Sequence, residues 1–389
     1  MSDLDIDKEI EKDLGLCTDM YMDGNTTSMV YSTLKSKLSI LQEYIPGNYL
    51  TKFKNPCWFD FYQIPSSPLI QTPNCLFTEF NVTLQAKQII KQVKTSATRH
   101  IYCLPAFFLP GFPKCATTTL HQMIIKHPLV AQSRCKECRF WSEFVDQRGT
   151  QPEKKIHSLW YLEIFSQSKQ TIESNPLSIT LDATPLYTHS LGENFCVLPV
   201  LLMRVLPEAK FILVMRNPTK RYISHYWFNT LGNLKMKKGN ILQYVHSEEA
   251  LEVFHNHTVD AIVQFQLCAD ANSVFHCIMK ADNWHSIRLQ YSLYYYHIAP
   301  WLKVIPRERF LFLRTEDLAH EPSLTMSKVW RFLQLHDLPI TEAMFQNANL
   351  MAKGIKVPSQ TKQLLDKFYQ PYNQLLAHLL RDMRYLWKD

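Results

Sequence analysis

The sequence has no long apolar run. A membrane-spanning helix needs roughly 18 or more consecutive apolar residues. The best stretches, Ile101 to Pro113 and Phe195 to Leu202, are shorter and interrupted by proline. The amino-terminal M-S-D-L-D-I-D-K-E-I-E-K-D-L is acidic and has no signal-peptide core, so the chain as read carries no targeting segment. Lys/Arg-rich runs, zinc-finger spacings and aromatic RNA-binding signatures are missing, which argues against nucleic acid. No Gly-Lys-Ser/Thr triplet occurs, which removes the usual phosphate loop of nucleotide triphosphatases. Glycine is scarce, nine residues in 389, and no internal repeat or low-complexity segment is present. A repeat array or a glycine-rich fibrous chain is thereby excluded.

Cysteine is present but dispersed. Ten residues over 389 do not make a small disulfide scaffold. Cys268 and Cys277 are near enough to close a small loop across a polar segment. Cys135-x-x-Cys138 reads as a redox pair or as half a zinc site. It has no second C-x-x-C and no nearby paired histidine to complete a metal centre. His255-x-His257 reads as loop surface, so no metal is expected. Three N-x-S/T sequons, at Asn25, Asn81 and Asn256, are consistent with a secretory lumen.

Apolar residues make up 46% and aromatics 12% of the chain, which is globular material with enough length for one large domain or two ordinary ones. The formal charge of +7 suits an anionic ligand such as a nucleotide or an acidic polysaccharide. Residues 1–47 read as an amino-terminal tail. Residues 48–100, with the turn- and aromatic-rich N-P-C-W-F-D-F-Y-Q-I-P-S-S-P, read as an extended arm on a body spanning 101–389. Within that body, A-F-F-L-P (106–110), S-I-T-L-D-A-T (178–184), A-K-F-I-L-V-M-R (209–216) and R-F-L-F-L-R (309–314) read as strands. Continuous apolar runs of this kind suit a parallel sheet covered on both faces. Helical patterns fill about 117–127, 153–172, 218–230, 247–265, 284–303, 322–335 and 359–386. The alternation predicts an α/β fold with right-handed crossovers and ligands beyond the carboxyl ends of the strands.

Two stretches fall at such ends. In G-F-P-K-C-A-T-T-T-L (111–120), a strand-to-helix turn directs the backbone N–H groups of 115–119 at one spot. Helix amino-termini bind anions in this way. Thr117, Thr118 and Thr119 add hydroxyls and Lys114 adds a charge. The alternative is a threonine-capped helix beside a solvated lysine. In V-M-R-N-P-T-K-R-Y-I-S-H-Y-W-F (214–228), Arg216 ends a strand, Pro218 starts a helix, and Ser224 lies two turns in, facing back. Arg216 offers a planar fork for phosphate, or else caps its own sheet. In C-K-E-C-R-F-W (135–141), Glu137 precedes two aromatics. A carboxylate near an apolar wall can act as a general base, whereas an isolated glutamate is usually solvated surface.

G-F-P-K-C-A-T-T-T-L resembles the 5′-phosphosulfate loop of the sulfotransferase family, and R-N-P-T-K-R-Y-I-S-H-Y resembles its 3′-phosphate motif. Their order and spacing of about 100 residues also fit. N-Y-L-T-K-F-K-N-P-C-W (48–58), K-E-C-R-F-W, I-R-L-Q-Y-S-L-Y (287–294), R-F-L-F-L-R-T-E-D (309–317) and F-Y-Q-P-Y-N-Q-L-L (368–376) resemble its N-acetylgalactosamine 4-sulfate 6-O-sulfotransferases. The resemblance covers about 48–389. It implies a P-loop-like three-layer α/β fold with a central, mostly parallel sheet flanked by helices. It implies 3′-phosphoadenosine 5′-phosphosulfate as donor, no metal, and an acidic polysaccharide of the chondroitin or dermatan sulfate type as acceptor. It also implies the Golgi lumen, where such relatives are held by an amino-terminal anchor not seen in this sequence.

Carried over, Lys114 is the catalytic lysine and Glu137 the catalytic base. Lys114, Cys115, Ala116, Thr117, Thr118 and Thr119 hold the 5′-phosphosulfate, and Arg216 and Ser224 hold the 3′-phosphate. Tyr294 and Arg288 lie near the nucleotide. Lys353 and Gly354, in M-A-K-G-I-K, match a shortened basic loop over the donor. Three positions depart from the family pattern: Ala116 and Ser292 replace glycines, and Arg139 replaces a histidine. Two other readings stand beside this one. The first is a non-catalytic nucleotide- or glycan-binding relative. The second is a P-loop kinase, for which Asp182 would imitate the magnesium-binding aspartate.

Overall fold

The computed structural model describes residues 24–46, 48–63, 94–146, 151–189, 197–233, 244–279, 289–340 and 357–388. Its centre is a four-stranded parallel sheet of β3 (Phe107–Gly111), β4 (Leu181–Asp182), β5 (Lys210–Met215) and β6 (Phe310–Arg314), in the order β4-β3-β5-β6. β3, β5 and β6 are short, mostly apolar runs, and β3 and β5 are almost wholly buried, as a sheet covered on both faces requires. Phe108, Phe211 and Phe310 occupy paired positions on β3, β5 and β6. Their rings stack across the sheet with centroids 5.5 and 5.3 Å apart. Such cross-strand aromatic pairs fix register, because a one-residue slip would move each ring to the opposite face.

Helices cover the sheet. Among them are Thr117–Ile124, Val197–Val205, Tyr294–Val304 and Pro322–Leu333, whose buried residues join one large core. A second apolar cluster forms where Pro218–Asn233, Glu248–Ala271 and Ser359–Leu380 meet. The α/β alternation read from the sequence is therefore the fold. Of the helix expected over 284–303, residues 284–288 lie outside the described residues; Leu289 and Gln290 are helical, a turn follows in which Ser292 N bonds Leu289 O at 3.2 Å, and the helix Tyr294–Val304 comes after it.

The tail reading of 1–47 fails in its second half. Gly24–Gln42 is a helix, and Leu34, Leu38 and Leu41 pack into the main core with Ile45. Their spacing of four, three and four is one helical face; the polar start of the helix concealed it. Within the arm, β1 (Cys57–Gln63) pairs antiparallel with β2 (Lys94–Cys103), and a disulfide joins Cys57 to Cys103. Asn55 fastens this arm to the sheet edge. Its amide donates to Ser178 O at 2.7 Å, and its carbonyl accepts from Thr180 N at 2.8 Å.

Candidate functional site

From β3 the chain crosses to β4 on one side, and from β5 it crosses to β6 on the other. The crevice at the carboxyl ends of β3 and β5 is thus the topological switch point, where open α/β sheets bind ligands. Both candidate anion loops open there. Gly111 ends β3 so close to Thr188 that a Cβ would lie 2.7 Å from Thr188 Oγ1. The loop then runs through Lys114 (φ 69°) and Ala116 (φ 61°), both left-handed. Alternation of this kind turns successive N–H groups inward and makes an anion-binding concavity. The helix Thr117–Ile124 begins at Ala116 with no side-chain cap, so the threonine-capped alternative does not hold. Thr117 and Thr119 are buried, and Thr118 is half-buried.

The second loop is tied to the first. Arg216 Nη1 donates to Lys114 O at 3.5 Å. Tyr294 Oη donates to Arg216 O at 2.9 Å, receives Arg216 N–H at 3.3 Å, and lies 3.4 Å from Cys115 Sγ. Tyr294 is 1% exposed, which makes it a brace beneath both loops and not a residue presented to a ligand. Thr315 Oγ1 stands 3.0 Å from Cys115 O and 3.1 Å from Met215 O, a third tie between loop and strand.

Lys114 Nζ sits 3.6 Å over the ring of Phe228, on the helix Pro218–Asn233. Its pKa is pushed down to about 8, first by burial and then by the guanidiniums of Arg216 and Arg221, while the Glu137 carboxylate opposes the fall. Burial pushes the Cys115 thiol up to about 11, so it remains a neutral wall of the loop. Ser224 lies half-buried on the same helix. With spacings of three and four, it shares a face with Arg221 and Phe228.

Arg221 was not singled out from the sequence. It is fully buried beside Lys114, with Nε bonded to Ser292 Oγ and Nη1 donating to His225 Nδ1 at 3.2 Å. Ser292 in turn donates to Pro218 O at 3.2 Å, so this departure from glycine supplies the arginine with a partner. The available signal was the second arginine of R-N-P-T-K-R, in the first helical turn after the strand.

Glu137 has φ 63°, and its N–H donates to Ala183 O at 3.1 Å, just beyond β4. Its carboxylate pairs with Lys136 and remains 42% exposed, while Phe140 and Trp141 turn into the core. The apolar wall expected beside it lies elsewhere. The same carboxylate acts on His121, whose pKa is held down to about 4, first by burial and then by Lys136. The charges of Lys114, Arg216, Arg221, Lys136 and Glu137 therefore act on one another at the crevice beyond β3 and β5, where cations outnumber carboxylates. Such a cleft can hold a multiply charged anion next to one base. Lys353, Gly354 and Arg288 lie outside the described residues.

The remaining sequence candidates resolve differently. Cys135 is disulfide-bonded while Cys138 is a free buried thiol, so the C-x-x-C is not a pair. Cys268 and Cys277 do close their loop. His255 and His257 stand within the helix Glu248–Ala271, not on a loop. His255 Nδ1 lies 2.8 Å from Thr361 Oγ1, and His257 Nδ1 lies 2.8 Å from Tyr226 Oη.

The family model described as "Sulfotransferase domain" matches residues 104–353. Carbohydrate sulfotransferase 15 of Homo sapiens is 26% identical over 390 residues, covering 88% of this chain and 66% of that protein. The chain thus spans just under two thirds of such relatives. Carbohydrate sulfotransferase 15 of Nototodarus sloanii is 31% identical over 138 residues, covering 33% of this chain and 87% of that protein. A solved sulfotransferase from Alicyclobacillus acidocaldarius aligns over 72% of this chain and 96% of its own. It has 17% identity and a TM-score of 0.46.

Proposed function

This chain belongs to the sulfotransferase family, and on that premise we propose that it transfers a sulfuryl group from 3′-phosphoadenosine 5′-phosphosulfate to a carbohydrate hydroxyl. The reading extends to an acceptor of the chondroitin or dermatan sulfate type, sulfated at the 6-O of N-acetylgalactosamine 4-sulfate. One observation supports it: the loops carrying Lys114 and Arg216 meet, with Arg216 Nη1 donating to Lys114 O at 3.5 Å. Three cations, inward N–H groups and an uncapped helix start make a donor set suited to an adenosine bearing phosphate at both ends.

The donor supplies the sulfuryl group, whose bond to the bridging phosphate oxygen breaks as a bond to the acceptor oxygen forms. Arg216 and Ser224 hold the 3′-phosphate. The N–H groups of 116–119 and the hydroxyls of Thr117, Thr118 and Thr119 hold the 5′ end, while the Cys115 N–H, counted with them from the sequence, is bonded to Phe112 O at 3.2 Å. Lys114 Nζ stabilises the negative charge that gathers on the departing phosphate. With its pKa at about 8 it is largely protonated at neutral pH, and a bound anion favours that form further. Loss of one such preorganised donor costs about 3–4 kcal/mol of barrier. Glu137 receives the proton of the attacking hydroxyl, a contribution of about 10²–10⁴ in rate, and Lys136 orients its carboxylate. Arg139 and Lys136 present positive charge to an acidic sugar.

The disulfides Cys57–Cys103 and Cys268–Cys277 suit an oxidising compartment, and the Golgi lumen is the compartment proposed. Among the described residues, no helix is long and apolar enough to cross a membrane. The test is transfer of radiolabelled sulfate from the donor to chondroitin sulfate and to its desulfated form, by the wild type and by Lys114→Ala. Incorporation that Lys114→Ala abolishes supports the reading. Donor binding without transfer to any glycan points to a non-catalytic relative, and competition by ATP points to a kinase-like site.

A further inference from the structure

We propose that Asp182, which contacts neither loop of the cleft, is the positioning residue that holds Glu137 in place. The proposal rests on the reading of Glu137 as base. Asp182 ends β4 and is 1% exposed. Its Oδ1 accepts from Thr184 Oγ1 at 2.7 Å. Its Oδ2 accepts from Tyr187 Oη at 2.7 Å, Tyr161 Oη at 2.9 Å and Cys138 Sγ at 3.3 Å. Four protein donors thus converge on one carboxylate, three of them on Oδ2. Burial and the neighbouring carboxylate hold Cys138, Tyr161 and Tyr187 well above their ordinary pKa values, so all three keep the protons they donate.

Each of those donors leads back to the segment carrying Glu137. Cys138 is the next residue. Thr184 Oγ1 accepts Arg139 N–H at 3.3 Å, Tyr187 Oη accepts Trp141 N–H at 3.4 Å, and Tyr161 Oη accepts Trp141 Nε1–H at 2.9 Å. Glu137 N–H itself bonds Ala183 O at 3.1 Å, one residue from Asp182. This bracing matters because Glu137 and Arg139 both have left-handed backbone, at φ 63° and 55°. Non-glycine residues persist there only where surrounding contacts over-determine them. Without the carboxylate, two tyrosines, a threonine and a thiol lose their common acceptor. The segment is then free to relax, and the Glu137 carboxylate leaves the place from which its charge acts on Lys114.

The test is a double-mutant cycle on turnover, read beside donor-product affinity. Asp182→Asn keeps the shape but replaces one acceptor oxygen with a donor. It is expected to lower kcat about 10- to 100-fold, with the Kd for 3′-phosphoadenosine 5′-phosphate unchanged within about twofold. In a Glu137→Gln background it is expected to have no further effect on kcat, because the group it positions is already gone. A purely structural role would lower kcat equally in both backgrounds, or weaken nucleotide binding as well, and either result overturns the proposal. If Glu137→Gln slows turnover while Asp182→Asn does not, this proposal falls and the base reading stands. If Glu137→Gln keeps full turnover, the base reading falls and takes this proposal with it. Should Asp182→Asn not fold, Tyr187→Phe removes one donor and the acceptor of Trp141 N–H, and the same non-additivity with Glu137→Gln is required of it.

Discussion

Lys114→Met exchanges a half-buried ammonium for an apolar chain of similar length over the ring of Phe228. The fold holds this lysine at a pKa of about 8 against an ordinary value of 10.5. The difference, 10.5 minus about 8, corresponds to about 3 kcal/mol at 1.36 kcal/mol per pKa unit. Because the side chain keeps contact with water, that figure is reduced to about 1–2 kcal/mol. The sign follows from linkage: the folded pKa lies below the unfolded one, so the charged form destabilises the folded state. The penalty is fully present below pH 8 and fades as pH rises from about 8 toward 10.5. Lys114→Met is therefore expected to raise Tm by about 1–3 °C at pH 7. The gap should be narrower at pH 9 and nearly closed by pH 10.5. Differential scanning fluorimetry across that range reads it directly. Excess 3′-phosphoadenosine 5′-phosphate should reverse the order, because the wild type gains more from an anion than the variant does. A gap that is absent at pH 7, or that widens with pH, would refute both the burial and the like-charge account of this lysine.

Two backbone positions of the same loop give further tests by thermal unfolding. Ala116→Gly should stabilise the protein by up to about 1 kcal/mol, because alanine at φ 61° carries a left-handed strain that glycine lacks. Gly111→Ala should destabilise it by about 1–3 kcal/mol by overpacking, since the new methyl meets Thr188 Oγ1 at 2.7 Å. Thr188→Ala in the same chain should recover part of that loss.

What was legible in the sequence was local. A strand, a turn and a helix start are contiguous, so the loops at Lys114 and Arg216 could be read directly. The apolar runs of β5 and β6 could be read in the same way. The site's supports were not legible, because they come from separated segments. Arg221 meets Ser292 across 71 residues, and Tyr294 reaches Arg216 across 78. Asp182 gathers Cys138, Tyr161, Thr184 and Tyr187 from three separate stretches of chain, and no spacing rule connects them. The C-x-x-C misled because proximity in sequence did not make Cys135 and Cys138 partners. Glu137 reads from the sequence either as a base against an apolar wall or as solvated surface; the aromatics that follow it turn inward, which leaves the carboxylate exposed. The helix Gly24–Gln42 was missed because it opens on the polar G-N-T-T-S.

Calorimetric titration with 3′-phosphoadenosine 5′-phosphate, with ATP as control, tests most directly whether the two loops form one nucleotide grip. The wild type should bind the bisphosphorylated nucleotide at least tenfold more tightly than ATP. Arg216→Ala should weaken that binding by about tenfold or more, as loss of a charge-assisted phosphate contact requires. Equal affinity for ATP, or an Arg216→Ala variant that binds as well as the wild type, would contradict the account.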